Sequence, residues 1–273
     1  MKDVASIEEI FEIRKLNTSS LSIGASDNIN FTHRLPLMPE DYLRFAHSDL
    51  KEGSARGLIN ALSNAKRSID SIIEIALKSL SIDPRNIPAH ALEFCNDVLP
   101  EWDKNINPTS LRIFCALGFS PSLLIKEVRS LRNNIEHDYE IPSIDETIKA
   151  VEIAELLLNT LRAKEMYNCC IEISDTNTTS KIEEGRASGI RFRDKYSPLK
   201  NTGTSFELIA FNENNQGYCY TFTGKEPLYY YFLRAMIVAD LDREKLKETI
   251  LKIIQITHSK KPPNTIKIAE FDY

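Results

Sequence analysis

The sequence predicts an α+β protein in which an N-terminal all-α helical bundle precedes a smaller α+β domain with a mainly antiparallel sheet. Two observations predict this order. Apolar residues recur at helical spacing up to residue 165, and short runs of β-branched and aromatic residues separated by polar turns follow from residue 166. We therefore expect a helix and loop segment over 1–38, the bundle over 39–165 and the α+β domain over 166–273.

Six helices are expected in the bundle, because six stretches carry an apolar stripe or a capping signal. They span 39–51, 54–82, 88–99, 107–118, 121–138 and 143–163. The fourth has Asn107 as N-cap and Pro108 at its first position, and the sixth opens with a capping box of Ser143 and Glu146. Residues 17–38 are rich in serine, asparagine and threonine, which predicts a loop.

The second domain is expected to be built on five short strands. They span 169–174, 188–194, 205–212, 217–224 and 265–273. Residues 212–217 predict a hairpin turn, 241–259 an amphipathic helix, and 227–240 either a helix or a buried strand. None of the 9 glycines forms a phosphate-binding loop, so no nucleotide chemistry and no cofactor are expected.

The net charge, the spacing of the cysteines and the length of the apolar runs exclude several classes of protein. The net charge of -5 provides no overall basic field for nucleic acid, so any phosphate contact has to come from a local patch. The 5 cysteines show neither zinc-ligand spacing nor a disulfide pattern. No apolar run approaches the roughly 18 residues of a membrane span. We expect a cytoplasmic protein with no membrane partner and no metal.

The predicted helix over 121–138 has one apolar and one polar side. At about 100° per residue, the spacing predicts a buried stripe of Leu124, Val128, Leu131 and Ile135. Opposite that stripe lie Lys126, Arg129, Asn133, Glu136 and His137, with Arg132 at the border. Arg132 and His137 point about 140° apart, so a second copy of the helix would be needed to close a pocket around one phosphate.

The stretch from Arg132 to His137, Arg-Asn-Asn-Ile-Glu-His, followed by Tyr139, resembles the R-x4-H-x-Y motif of the HEPN superfamily. The resemblance covers roughly residues 39–165. It implies a HEPN-like helical bundle, a homodimer with two motifs facing one cleft, and metal-independent ribonuclease activity, as in HEPN toxins of toxin-antitoxin pairs. Arg85 and His90 are separated in a similar way, but Pro88 lies between them. Because proline breaks a helix, this second stretch cannot lie in the interior of a helix.

The residue types of the motif suit RNA cleavage. The unperturbed pKa of histidine, about 6.5, lets His137 transfer a proton to or from RNA near neutral pH. Arg132 would stabilise charge on the phosphorane, and Asn133 would orient the histidine or donate to phosphate. Tyr139 is predicted to position substrate or to be modified. Lys126 and Arg129 are predicted to bind the RNA backbone.

Three alternatives stay open at the level of sequence. The polar face is also typical of a solvated helix whose last histidine interacts with the helix dipole. A non-catalytic HEPN-like module would use the same face for dimerisation or for RNA or ligand binding. A bacterial regulatory or defence protein would sense a ligand through the second domain, and an antitoxin or regulatory protein would be a further partner. His47 and His258 are expected to be packing or helix-end residues.

Overall fold

The computed structural model describes residues 1–26, 31, 33–164, 170–175, 189–194, 206–261 and 263–272. The chain forms two compact units. Unit 1 comprises residues 1–30, 88–94 and 166–273, and unit 2 comprises residues 31–87 and 95–165. Unit 1 is therefore assembled from three separate pieces of the chain. The domain boundary predicted at residue 166 lies outside the described residues.

Unit 1 is built on a seven-stranded mixed sheet. Its strands are β1 (Lys2–Asp3), β2 (Leu21–Ser26), β3 (Cys170–Asp175), β4 (Ile190–Asp194), β5 (Phe206–Phe211), β6 (Gly217–Phe222) and β7 (Ile268–Asp272). They lie in the order β1-β6-β5-β4-β3-β2-β7. The two outer pairs, β1 with β6 and β2 with β7, are parallel, and the inner pairs are antiparallel.

The fold predicted from the sequence is wrong. The N-terminal part is not an all-α bundle that precedes a mainly antiparallel domain, because residues 1–26 supply β1 and β2 to the same mixed sheet as the C-terminal strands. The loop predicted over 17–38 contains β2, which pairs with β3 from Leu21 opposite Asp175 to Ser26 opposite Cys170. Backbone pairing on both sides stabilises β2 despite its polar and small residues.

Nine α-helices lie within the described residues. They are α1 (Ile7–Arg14), α2 (Pro39–Glu52), α3 (Ala55–Ser79), α4 (Ala89–Val98), α5 (Thr109–Leu117), α6 (Ser122–His137), α7 (Ile144–Lys164), α8 (Pro227–Val238) and α9 (Arg243–Thr257). The ambiguous stretch after residue 227 is thus the helix α8. Among the described residues, no helix is long and apolar enough to cross a membrane.

An aromatic cluster forms the core of unit 1. Phe192 of β4 is fully buried and lies 5.2 Å from Phe206 and 4.9 Å from Phe232 between ring centroids. Every residue of α8 from Leu228 to Val238 is buried. A helix that is buried all round shows no amphipathic period, which explains why its sequence did not distinguish helix from strand.

Unit 2 is helical, and α3 is its central element, in contact with α2, α5, α6 and α7. Ser54 caps α3 by accepting a hydrogen bond from the Gly57 backbone N–H at 3.1 Å. A Cβ atom on Gly57 would lie 2.5 Å from the Asp49 carbonyl oxygen, so α2 and α3 approach too closely there for any other residue.

The helix ends of unit 2 test two capping predictions. The capping box is confirmed: the Ser143 backbone N–H donates to Glu146 Oε2 at 2.8 Å, and the Glu146 backbone N–H donates to Ser143 Oγ at 3.2 Å. The predicted start of α5 is wrong by one residue, because Pro108 rather than Asn107 is the N-cap. Both helices pack in unit 2 with α6, which carries the motif.

Candidate functional site

The predicted motif lies at the C-terminal end of α6. Arg132 and Asn133 belong to the last turns, His137 is the last helical residue, and the Asp138 backbone N–H donates to the Asn134 carbonyl at 2.9 Å. Tyr139 follows with a left-handed φ of 58° and a side chain that is 87% exposed. The expectation that the spacing lies within a helix is confirmed, and Tyr139 stands just beyond the helix.

The buried face of α6 differs from the predicted stripe. Ser122, Ile125 and Val128 are buried, whereas Leu124, Leu131 and Ile135 are only half-buried. The prediction is therefore wrong for three of its four residues. Both faces are apolar at the start of the helix, and the position of the neighbouring helices decides which one is covered. No residue after Val128 is buried in α6, so the motif lies on its open end.

Three of the four predicted catalytic side chains have no hydrogen-bond or ion-pair partner within the described residues. His137, Asn133 and Tyr139 are exposed, and none makes a side-chain hydrogen bond or ion pair with another described residue. Side-chain contacts within the described residues therefore do not account for these residue types, and the position of His137 as the last helical residue also fits the helix-dipole alternative. Exposed polar side chains without intramolecular partners are available for a ligand or a second protein chain.

The fourth, Arg132, forms an ion pair with Glu136 one turn further along α6. The side chains are 31% and 41% exposed, so solvent screens the pair and its contribution to stability is small. A phosphate group can therefore compete with Glu136 for the guanidinium at little cost. The pairing also means that Arg132 does not lie beside His137 as an uncompensated charge.

Lys126, one of the two predicted RNA-binding residues, is held by a buried carboxylate. Its Nζ lies 2.8 Å from Asp103 Oδ1, which also accepts a hydrogen bond from Ser122 Oγ at 2.5 Å. Burial raises the pKa of Asp103, but the hydrogen bonds from Lys126 and Ser122 outweigh it, and the pKa is lower than its ordinary value. Lys126 thus has a structural role at the start of α6.

Arg129, the other predicted RNA-binding residue, is also paired. Its guanidinium lies 2.8 Å from Asp70 Oδ1 on α3, and Asp70 forms a second ion pair with Lys66. Arg129 and Asp70 line a cavity of 230 Å³ together with Arg85. Sequence reasoning missed Arg85, since it considered only the spacing from Arg85 to His90, and missed Asp70, which is 59 positions from Arg129.

The arrangement permits proton transfer and phosphate binding. Among the described residues, no group of three histidine, cysteine, aspartate or glutamate side chains is placed to hold a metal ion. Comparison with protein-family models, with curated proteins and with solved structures finds no significant match. The function has to be inferred from the residues of this chain.

Asp103→Asn should destabilise unit 2 at pH 7 by roughly 1 to 3 kcal/mol, because a hydrogen-bonded buried charge is lost. The folded pKa of Asp103 lies below its ordinary value of 3.8, so its stabilising contribution is present above that pH and is lost as the pH falls through the folded pKa. Urea unfolding followed by circular dichroism should show the difference from wild type shrinking below pH 3.8.

Glu152→Gln on the exposed face of α7 is the control, and it should change the free energy of unfolding by less than about 0.5 kcal/mol at every pH. A difference between wild type and Asp103→Asn that stays constant down to pH 2.5 would exclude this electrostatic role.

Proposed function

We propose that the chain is a cytoplasmic, metal-independent endoribonuclease of the HEPN type. The observation that carries the proposal is the Arg-x4-His-x-Tyr motif at the open end of α6, where Asn133, His137 and Tyr139 are exposed and have no side-chain partner within the described residues. These exposed side chains are accessible to a ligand. The α-helical character of unit 2 agrees with the resemblance.

The chemistry is an internal transesterification of RNA. The ribose 2′ oxygen attacks the adjacent phosphorus, the bond to the 5′ oxygen breaks, and a 2′,3′-cyclic phosphate forms. His137 removes the proton from the 2′ hydroxyl or protonates the leaving 5′ oxygen. Arg132, released from Glu136, stabilises the charge on the phosphorane, and Asn133 orients the imidazole or donates to phosphate. Tyr139 contacts the substrate or is a modification site.

A homodimer completes the proposed site. Arg132 and His137 project about 140° apart from one helix, so the groups around one phosphate come from two copies. Apolar side chains next to the motif support this assembly: Ile141, Ile144 and Ile148 are 63%, 53% and 37% exposed. An exposed apolar patch rimmed by polar residues is typical of a protein interface.

The two residues proposed to bind the RNA backbone, Arg129 and Lys126, differ in their contacts within the chain. Arg129 lines a cavity with Arg85, but Asp70 and Glu74 line it as well and Asp70 is paired with Arg129, so a phosphate there would have to displace this carboxylate from Arg129. Lys126 is bound to Asp103, so its role in RNA binding requires that this ion pair open. An antitoxin or regulatory protein as a further partner stays a prediction.

The protein should cut single-stranded RNA in EDTA and leave 2′,3′-cyclic phosphate ends, because histidine-assisted attack by the 2′ hydroxyl needs no metal. His137→Ala should reduce cutting at least a hundredfold, and RNA methylated at the 2′ oxygen of the cleavage site should resist it. End-labelled RNA on denaturing gels, with mass spectrometry of the products, measures both effects. The expected hundredfold loss is the lower bound of the rate enhancement that general acid-base catalysis provides, about 10²-fold.

His33→Gln is the matched control, because His33 belongs to the same unit but lies outside α6. This variant should cut at the wild-type rate. Cutting that survives His137→Ala, or that requires a divalent metal, would contradict the mechanism.

Glu136→Gln should increase the affinity for RNA roughly twofold to fivefold, because an exposed ion pair is worth about 0.2–1 kcal/mol and its loss frees Arg132 for phosphate. Fluorescence anisotropy with labelled single-stranded RNA, in a His137→Ala background that prevents cutting, measures this change. Glu140→Gln removes the same charge from an exposed position close by and should give a smaller gain. Equal gains for both variants would show that only net charge matters and that Arg132 is not released.

Ile144→Glu combined with Ile148→Glu should convert a dimer into a monomer and abolish cutting, since charges would be buried in the apolar interface. Light scattering at micromolar protein concentration measures the mass. Leu241→Glu, at a residue that is 60% exposed in unit 1, is the control and should remain dimeric. A monomeric wild-type protein that still cuts RNA would refute the two-copy site.

A non-catalytic binding module is the second candidate function. The observation that favours it is the pairing of Lys126, Arg129 and Arg132 with carboxylates, which lowers the positive charge available to RNA. This function predicts an intact dimer that binds a ligand on the motif face and cuts no RNA in the gel assay.

A further inference from the structure

A groove of 670 Å³ lies between α2 and α7 within unit 2, away from the motif residues of α6. Glu40, Leu43, Arg44, His47, Ser48 and Lys51 line it from α2, and their spacing of three and four residues defines one face of that helix. Residues 155, 158, 159 and 162 line it from α7. The volume falls within the range of small-molecule pockets, about 300–1,000 Å³.

The groove has an apolar floor. Leu43 and Leu158 are both buried, at 6% exposure, and both line the groove. No phenylalanine, tyrosine or tryptophan is among the lining residues, and the one ring, the imidazole of His47, is paired with Glu155. The floor suits an aliphatic group better than a nucleobase, whose binding generally uses aromatic stacking.

The rim of the groove is rich in cations although the chain as a whole is acidic. Arg44, Lys51 and Arg162 line the groove against two carboxylates, Glu40 and Glu155. Glu40 is paired with Arg162 at 2.7 Å, and Arg44 is paired with Asp41 at 2.7 Å. Lys51 forms no ion pair within the described residues. With Asp41 counted, three cations face three carboxylates, and Lys51 is the lining cation that can meet an anion without the opening of an ion pair within the described residues.

His47 connects the two walls. Its Nε2 lies 2.6 Å from Glu155 Oε1, and both side chains are nearly half exposed. The sequence interpretation of His47 as a packing or helix-end residue is wrong, because the side chain is exposed and points to α7 through this contact. The Glu155 carboxylate is occupied by His47, so it repels an incoming anion less than a free carboxylate would.

We propose that this groove binds a small organic anion with a phosphate or carboxylate head and an aliphatic body. Arg44, Lys51 and Arg162 bind the head, and Leu43 and Leu158 contact the body. Guanidinium groups bind phosphate and carboxylate through paired N–H donors, and both exposed ion pairs at the rim open at little cost. The inference does not depend on the ribonuclease proposal.

Isothermal titration calorimetry of the full chain with four probes tests the proposal. Hexyl phosphate or hexanoate should bind at one site per chain, whereas inorganic phosphate and 1-hexanol should bind at least tenfold more weakly. Comparing hexyl phosphate with hexanoate distinguishes the two possible head groups. Equal affinity for inorganic phosphate would refute the apolar contact, equal affinity for hexanol would refute the anion site, and no binding of any probe would refute both.

Variants assign the binding to the groove. Arg162→Ala and Lys51→Ala should each weaken binding of the better probe at least tenfold, which corresponds to about 1.4 kcal/mol, because each removes a hydrogen bond between charged groups. Lys51→Ala breaks no ion pair among the residues that the structure describes, so it keeps the test valid if Arg162→Ala does not fold. Arg56→Ala, an exposed arginine of α3 outside the groove, is the matched control.

His137→Ala should bind the probe as the wild type does, which separates this site from the ribonuclease site. Wild-type affinity in both Arg162→Ala and Lys51→Ala, with circular dichroism showing folded protein, would overturn the proposal.

Discussion

Asp103 is a buried carboxylate that accepts hydrogen bonds from two residues of α6, Ser122 Oγ at 2.5 Å and Lys126 Nζ at 2.8 Å. A buried charge is costly unless it is paired and hydrogen-bonded, so this arrangement defines both the position and the rotation of the first turns of α6. Arg129 adds a second attachment, to Asp70 of α3. These ion pairs hold the N-terminal half of α6 in place. Because the helix is continuous, they also determine where its C-terminal end, which carries the motif, is located.

The same kind of pairing decides how easily a phosphate would reach the cations of α6 under the proposed function. Each cation of the α6 polar face has a carboxylate partner, and the partners differ in burial. The Asp103 side chain is 12% exposed, whereas the Glu136 side chain is 41% exposed. Water weakens the exposed pair far more than the buried one. Asp70, the partner of Arg129, is 39% exposed at its side chain, so Arg129 and Arg132 both have partners that a phosphate can replace more easily than Asp103. Of these two arginines, Arg132 belongs to the motif.

The sequence predicted most local features of unit 2, because helix periodicity and capping depend on residues close together in the chain. The capping box of Ser143 and Glu146 is one example, and the helical setting of the motif is another. The sequence did not predict Asp103 or Asp70 as partners of Lys126 and Arg129, which lie 23 and 59 positions away. It also gave the wrong buried face for α6, since Leu124 and Ile125 are adjacent apolar residues and only tertiary packing selects between them.

The sheet was mispredicted for a related reason, and the error concerns β2 most of all. Leu21–Ser26 contains two serines and a glycine, which favour turns, yet the strand lies inside the sheet, next to the edge strand β7, and pairs with both β3 and β7. The parallel pair of β2 with β7 joins residues near the two ends of the chain, and no local pattern encodes such a contact.

The half-buried residues of α6 connect this packing with the proposed function. Leu124, Leu131 and Ile135 are incompletely covered within the chain, and Ile144 and Ile148 of α7 are exposed. A second copy that covered this apolar surface would also remove water from the neighbourhood of Arg132 and His137. Electrostatic interactions strengthen as water is excluded, so the contacts that form the dimer would strengthen the interaction of the arginine with phosphate. Assembly and catalysis would then depend on the same surface of α6.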